Sequence, residues 1–293
     1  MGDTMKSYKK QTKRYTRSAG GNLFFFLLVA GMGLFTVLPL IYCITTSFKP
    51  LEELMIFPPR LFTVKRPTLA NFTALPSLLS SLSVPISRYI FNSVFVTIVT
   101  TVLHILVASM AAYVISKTDL KGRHVIFWVV QFALLYNATT LAVPQYMVFT
   151  QLRLIDSFLV YILPYIPSTM GVFLIKQYMD DSIPPALLEA ARIDGAGHFT
   201  IYCRIVMPLV KPAWLTLTLF AFRDMWAVQP SGTVFSEEMK TLPYVLSQVV
   251  NGGLARTGSA MAVTVLLMLP PIAVYLISQS NVMETMGSAG IKD

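Results

Sequence analysis

Charge is what this 293-residue chain has least of: Asp, Glu, Lys and Arg together make 13% of it and hydrophobic residues 55%, against roughly 25% charged in an average soluble domain. That shortage argues against a water-soluble globule. Acids are the scarcest, 14 against 23 Lys and Arg. With 19 Phe and 15 Met, the composition also excludes a disordered or collagen-like chain. Cysteine is almost missing: Cys43 lies inside the first apolar run and Cys203 far along the chain, so there is neither a disulfide framework nor a metal-ligand spacing. Such a chain does not rely on an oxidising compartment. His104 and His198 stand isolated, without metal-ligand company, and structural roles are expected for both.

Long charge-free runs are what the sequence has instead. They cover residues 18–48, 89–116, 124–152, 157–175 and 257–283, and a hydrocarbon core of about 30 Å needs about 20 apolar residues as a helix. The fold class expected is therefore all-α: a polytopic membrane protein with six transmembrane helices, at about 23–48, 89–116, 125–150, 157–179, 209–228 and 259–281. Residues 6–17 carry Lys6, Lys9, Lys10, Lys13, Arg14 and Arg17 with no acid. The apolar run behind them is longer than the roughly 7–15 residues of a signal-peptide core, so it reads as a retained anchor. With this basic end in the cytoplasm, six spans put both termini there, and 14 of the 23 Lys and Arg fall on the cytoplasmic side. The net charge of +9 is thus a topological bias, and no nucleic-acid partner is expected.

The chain divides into a basic cytoplasmic tail (1–22), a first transmembrane helix (23–48), an external loop (49–88), a core of five helices (89–281) and a cytoplasmic C-terminal tail (282–293). Pro50, Pro58, Pro59, Pro67 and Pro76 make the external loop extended and partly packed. Residues 229–258 read as turns around a short helix near YVLSQVV.

The cytoplasmic stretch 182–208 is neither a span nor an ordinary loop. Ser182 is expected to cap a short helix, Pro184 and Pro185 suit its first turn, and Glu189–Arg192 is a favourable pair. Gly195 ends it as a residue able to take φ > 0. A second helix through HFTIYCRIVM is expected to stop at Pro208, with Phe199, Tyr202, Ile205 and Val206 on one apolar face. Physics alone allows two uses for this knob: docking a soluble partner, or lying in the lipid headgroups.

EAARIDGAGHFTIYCRIVMPLVKP resembles, over its whole length, the EAA…DGA…F/Y…I..P…P signature of permease subunits of bacterial binding-protein-dependent ABC importers. Glu189, Ala190, Ala191, Asp194, Gly195, Ala196, Tyr202, Ile205, Pro208 and Pro212 fill its positions; Gly197 stands where Ser is commoner. TSFKPLEEL with FPPRLF, the RYIFNSVFVTIVTTVLHILVASMAAYVISK run, and FRDMWAVQPSG with TLPYVLSQV resemble the maltose-type carbohydrate subfamily over nearly all of 20–290, and within it permeases for large saccharides such as alginate. The resemblance implies the type I importer permease fold, a knob acting as a coupling helix on partner ATPases, a second permease subunit, two ATPase subunits and an extracytoplasmic substrate-binding protein, in the bacterial inner membrane. No phosphate-binding loop is present, so no cofactor is expected on this chain; ATP and Mg²⁺ would belong to the ATPases. The 229–258 loop would reach into the binding protein.

A sugar path needs hydrogen-bonding groups and aromatic faces within the bilayer. Candidates are Gln131, Tyr136, Asn137, Gln145, Tyr146, Tyr161, Tyr165 and Trp226, each equally open to interhelical packing. Asn92 and Asn137 are alternatively interhelical glue. Arg223 and Asp224 are read as outer-interface residues rather than a proton relay. An ion-gradient-driven secondary transporter is the rival reading. It calls for acids at the bilayer midplane, and the expected spans hold none but Asp224.

Overall fold

The computed structural model describes residues 19–58, 60–78, 84–136, 138–229 and 232–290; the basic tail at 6–17 and Asn137 fall outside these. Among the described residues there is helix and no strand. Four helices are long and apolar enough to cross a membrane: Gly20–Ser47, Ile86–Lys117, Leu159–Ser182 and Thr257–Gln279. A fifth candidate is a pair, His198–Leu209 and Lys211–Trp226, bent by 79°.

In chain order the main helices are α1 (Ala19–Ser47), α2 (Ile86–Lys117), α3 (Arg123–Ala133), α4 (Ala142–Gln151), α5 (Thr169–Ser182), α6 (Pro185–Ile193), α7 (His198–Leu209), α8 (Lys211–Trp226), α9 (Leu242–Val250) and α10 (Thr257–Gly290). α1 ends just before Pro50, which disfavours helical backbone at the residue ahead of it. Pro85 sits extended at the start of α2. α9 is the short helix expected near YVLSQVV, and α10 carries helix through 282–290, part of the segment expected as a tail.

The span expected over 125–150 is two helices. α3 stops at Ala133, and helix resumes as a 3-10 turn, Ala138–Leu141, before α4. Pro144 lies in the first turn of α4, where its missing N–H costs nothing; one turn further into a continuous helix its ring would clash with the carbonyl of residue 140. A second interruption precedes α5, where the Ser168 hydroxyl accepts from the Gly171 N–H at 2.7 Å, a helix cap inside a spanning segment.

The main core lies where α2, α5 and α8 cross, and it continues into α6 and α7: Ala108, Ala112, Ile175, Met179, Ile183, Ala191, Ile201, Val206, Val210, Ala213 and Leu217 are all buried there. Inside a bilayer the apolar surface gains little from leaving lipid, so close fit between small residues has to supply the attraction. Gly171 is the tightest point. A Cβ there would lie 2.4 Å from Ser168 Oγ, 2.8 Å from Leu217 Cδ2 and 3.0 Å from Ala108 Cβ. A second cluster at the other end joins Tyr89, Trp226, Leu242, Val245, Val249, Ala260 and Val263.

This crossing makes a direct prediction. Gly171→Ala overpacks it and lowers thermal stability in detergent by about 1–3 kcal/mol, the usual cost of a forced methyl group. Gly31→Ala, on α1 with nothing within 4 Å, leaves the melting midpoint where it was. Equal midpoints for the two variants would remove the close approach as the determinant of packing.

Candidate functional site

The segment 182–208 folds as two helices at a bend. Ser182 is the last residue of α5 and caps nothing there; the N-cap position of α6 is Pro184, extended at φ −64°, ψ 139° and without a side-chain cap. The expected capping role of Ser182 is therefore corrected: the chain needs the two residues Ile183 and Pro184 to turn between helices. Gly195 has φ +80°, the left-handed conformation expected of it. The Glu189–Arg192 pair does not form. Arg192 instead donates to the Lys117 carbonyl at 3.3 Å, and Lys117 Nζ donates to the Ile183 carbonyl at 2.9 Å. The C-terminal end of α2 thus grips both ends of the first helix of the knob.

α7 runs past Pro208 to Leu209 and contains a π-helical turn, Tyr202–Val206. Pro208 does not stop it, because helix restarts at Met207 and the proline falls in that first turn. One of the four expected apolar-face residues points away, because the buried face at the start of α7 is set by Ile201 and Tyr202 while the π turn keeps Val206 buried behind them. Tyr202 and Val206 are buried and Ile205 half-buried, whereas Phe199 is 73% exposed. Tyr202 shares a buried 2.7 Å hydrogen bond with Ser109 of α2, and its ring lies 5.6 Å from that of Tyr113.

The signature residues consequently fall into two sets. Ala191, Tyr202, Ile205 and Pro212 point into the core, with Ala196 half-buried beside them. Glu189, Ala190, Asp194, Gly195 and Pro208 are exposed, beside exposed Ile193 and Phe199.

Away from the knob two adjoining cavities, of about 500 and 270 Å³, share Tyr165 and Asp224 in their walls. The larger is lined also by Gln145, Tyr146, Tyr161, Gln229 and Thr233, the smaller by Thr100, His104, Ser168 and Arg223. The hydroxyls of Tyr161 and Thr100 are buried without a protein partner, and His104 Nδ1 lies 2.5 Å from the Tyr165 carbonyl oxygen. Of the residues expected along a sugar path, Gln145, Tyr146, Tyr161 and Tyr165 come together here. Tyr136 is exposed and Gln131 half-buried, and neither lines a cavity wall. Trp226 is buried, stacked on Phe222, with its indole N–H donated to the Leu267 carbonyl at 2.7 Å; it is an interhelical strut. Asn92 acts as glue, donating to the carbonyls of Glu238 and Lys240 at 2.7 and 2.9 Å. Gln229 and Thr233 had no distinguishing signal in the sequence, since only folding brings them to α4; Asp224 stands out as the one acid in the expected spans, where it reads as an outer-interface residue, and it lines both cavities.

The 232–242 loop is held from two sides. Ser93 Oγ accepts from the Leu242 N–H at 2.7 Å. Asp156, at φ 61°, accepts from the Phe235 and Ser236 N–H groups at 3.0 and 2.8 Å and from the Ser236 hydroxyl.

Residues 104–286 match the family described as binding-protein-dependent transport system inner membrane component, and the chain belongs to it. It is a permease subunit of an ABC sugar importer, a multi-pass inner membrane protein of a non-catalytic class. It is 32% identical over 212 residues to the arabinooligosaccharides transport system permease protein AraQ of Bacillus subtilis (strain 168), covering 70% of this chain and 73% of that protein. It is 28% identical over 291 residues to the polygalacturonan/rhamnogalacturonan transport system permease protein YtcP of the same organism, covering 89% and 95%. The fold matches a chain in the crystal structure of a bacterial ABC transporter involved in the import of the acidic polysaccharide alginate, with TM-score 0.76, 21% identity and coverage of 90% of this chain and 98% of that one. Family membership removes the ion-gradient alternative.

The Asp156 latch is pH-dependent with a defined sign. Hydrogen bonds from the Ser236 hydroxyl and backbone hold its carboxyl below the ordinary 3.8, and the Phe235 N–H and the Lys240 charge add to this against a small opposing effect of burial. A lowered carboxyl stabilises the fold fully above the unfolded value and loses that contribution as pH falls through the folded one. Asp156→Asn, which tolerates the left-handed backbone, should therefore melt lower than wild type at pH 7, and the gap should close well below pH 3.8. A gap that stays constant with pH would sink the latch.

Proposed function

We propose that this chain is the membrane half of an ATP-driven importer that takes an oligo- or polysaccharide from an extracytoplasmic binding protein, with an alginate-type chain as the named candidate. Six membrane crossings, counting the interrupted 125–150 segment and the bent α7–α8 pair, put both termini in the cytoplasm. A second permease subunit completes the passage, and two ATPase subunits carry ATP and Mg²⁺; no cofactor binds here.

The observation that carries this reading is the division of the 182–208 segment. Its exposed set, Glu189, Ala190, Asp194 and Gly195 with Ile193 and Phe199, offers a small, partly apolar and acidic face for a partner ATPase. Its buried set, with Tyr202 bonded to Ser109 and Lys117 bonded to Ile183, ties that face to α2. A push on the knob then moves the spanning helices with it. For the saccharide, the paired cavities support a passage: tyrosine faces for the sugar ring, amides and a carboxylate for its hydroxyls, and the lone Tyr161 and Thr100 hydroxyls for partners.

The test is coupling. Glu189→Lys and Gly195→Pro, each co-expressed with the genomic neighbours, should insert normally and lose binding-protein-stimulated ATP hydrolysis at least about tenfold, equivalent to about 1.4 kcal/mol. Glu189→Lys reverses a charge on the docking face. Gly195→Pro removes the positive-φ bend, which proline cannot adopt. Wild-type stimulation in both variants would return the knob to the membrane surface.

A further inference from the structure

We infer that the external apolar tip formed by Met55–Pro58 together with Leu61 and Phe62 is a lipid-inserted anchor, which dips into the outer headgroup layer beside α1. It is held in one shape from within. Lys49 and Glu53 are both buried, yet they do not pair with each other. Each instead captures backbone: Lys49 Nζ donates to the Arg60 carbonyl and to the Leu61 carbonyl at 3.4 Å, while the Glu53 carboxylate accepts from the Lys65 N–H at 3.1 and 3.2 Å. Asn71 ties the segment down by donating to the Ser47 and Lys49 carbonyls at 2.8 and 2.7 Å.

With the ends of the segment gripped, what remains outside is apolar. Phe57 is 91% exposed, and Met55, Ile56, Leu61 and Phe62 are exposed with it. Its height is set by α1. Thr45 Oγ1 donates to the Leu61 carbonyl at 3.2 Å, so the segment comes back to the level of the last helical turn. The 28 residues Gly20–Ser47 are about 42 Å long, which matches a bilayer with its headgroups and exceeds the hydrocarbon core alone. The last turn therefore lies among headgroups, and the apolar tip is continuous with the exposed apolar surface of α1. Exposed Lys65 and Arg66 follow the tip, as cations suited to lipid phosphates. Aromatic and basic residues together at that depth fit a bilayer surface, and a protein partner would be recognised by the test as a different outcome.

The experiment places a nitroxide at Phe57→Cys and, separately, at Ile56→Cys in the full chain lacking Cys43 and Cys203. The protein is reconstituted in phosphatidylethanolamine and phosphatidylglycerol vesicles. Power saturation with oxygen and with a water-soluble nickel chelate reads the depth. The expected result at both sites is oxygen access with exclusion of nickel, at about 5–10 Å below the phosphates. Free access of nickel at both sites would place the tip in water and overturn the anchor. Shielding from both reagents at both sites would place it against protein and overturn it equally.

Discussion

Everything in this fold hangs on a contact that only a residue without a side chain permits. At Gly171 three elements meet: the capped start of α5, Leu217 of α8 and Ala108 of α2, all within 3.0 Å of where a Cβ would stand. In water such an approach would be one contribution among many. In lipid, where burial against a neighbour replaces one apolar surroundings with another, the packing itself has to hold the helices together. The rest of the core follows from it, because Ala112, Ala213 and Ile175 can touch only once α2, α5 and α8 have closed to this distance.

Polar groups settle what packing leaves open. Backbone within a membrane is tolerated outside a helix only when it is satisfied by other parts of the protein. The interruption before α5 obeys this through the Ser168 hydroxyl. The same logic places irregular structure near the cavities: Ser168 before α5 lines the smaller, and Gln229 and Thr233 line the larger beside Gln145, Tyr161, Tyr165 and Asp224.

Runs without charge sufficed to find α1, α2, the Leu159–Ser182 span and α10, because length and apolarity are the whole requirement for crossing lipid. The same criterion misread 125–150, since it does not register Pro144, whose effect is local and steric. The break at Val210 was legible from Pro208 and Pro212, which flank it, although the 79° angle between the two helices was not. Gly195 was legible, because a positive φ selects glycine almost uniquely. Phe199 was misassigned, because Ile201, which the spacing left off the apolar face, is the residue that turns inward beside Tyr202. Along the cavity walls, the tyrosines and Gln145 were legible as types. Gln229 and Thr233 were not, because a loop residue gains its place only from the fold.

α2 unites the two ends of the molecule. Asn92 and Ser93 near its N-terminal end hold the backbone of the 232–242 loop at Glu238, Lys240 and Leu242; Ser109, Tyr113 and Lys117 toward its C-terminal end hold the knob. From Asn92 to Lys117 is about 37 Å of uninterrupted helix at 1.5 Å per residue. A helix of that length without proline or glycine inside has none of the usual causes of a sharp kink, so displacement at one set of contacts is carried to the other as rigid motion. The cavities lie against the middle of this helix, at Thr100 and His104. Knob and cavities are therefore tied to the same helix, with no separate relay between them.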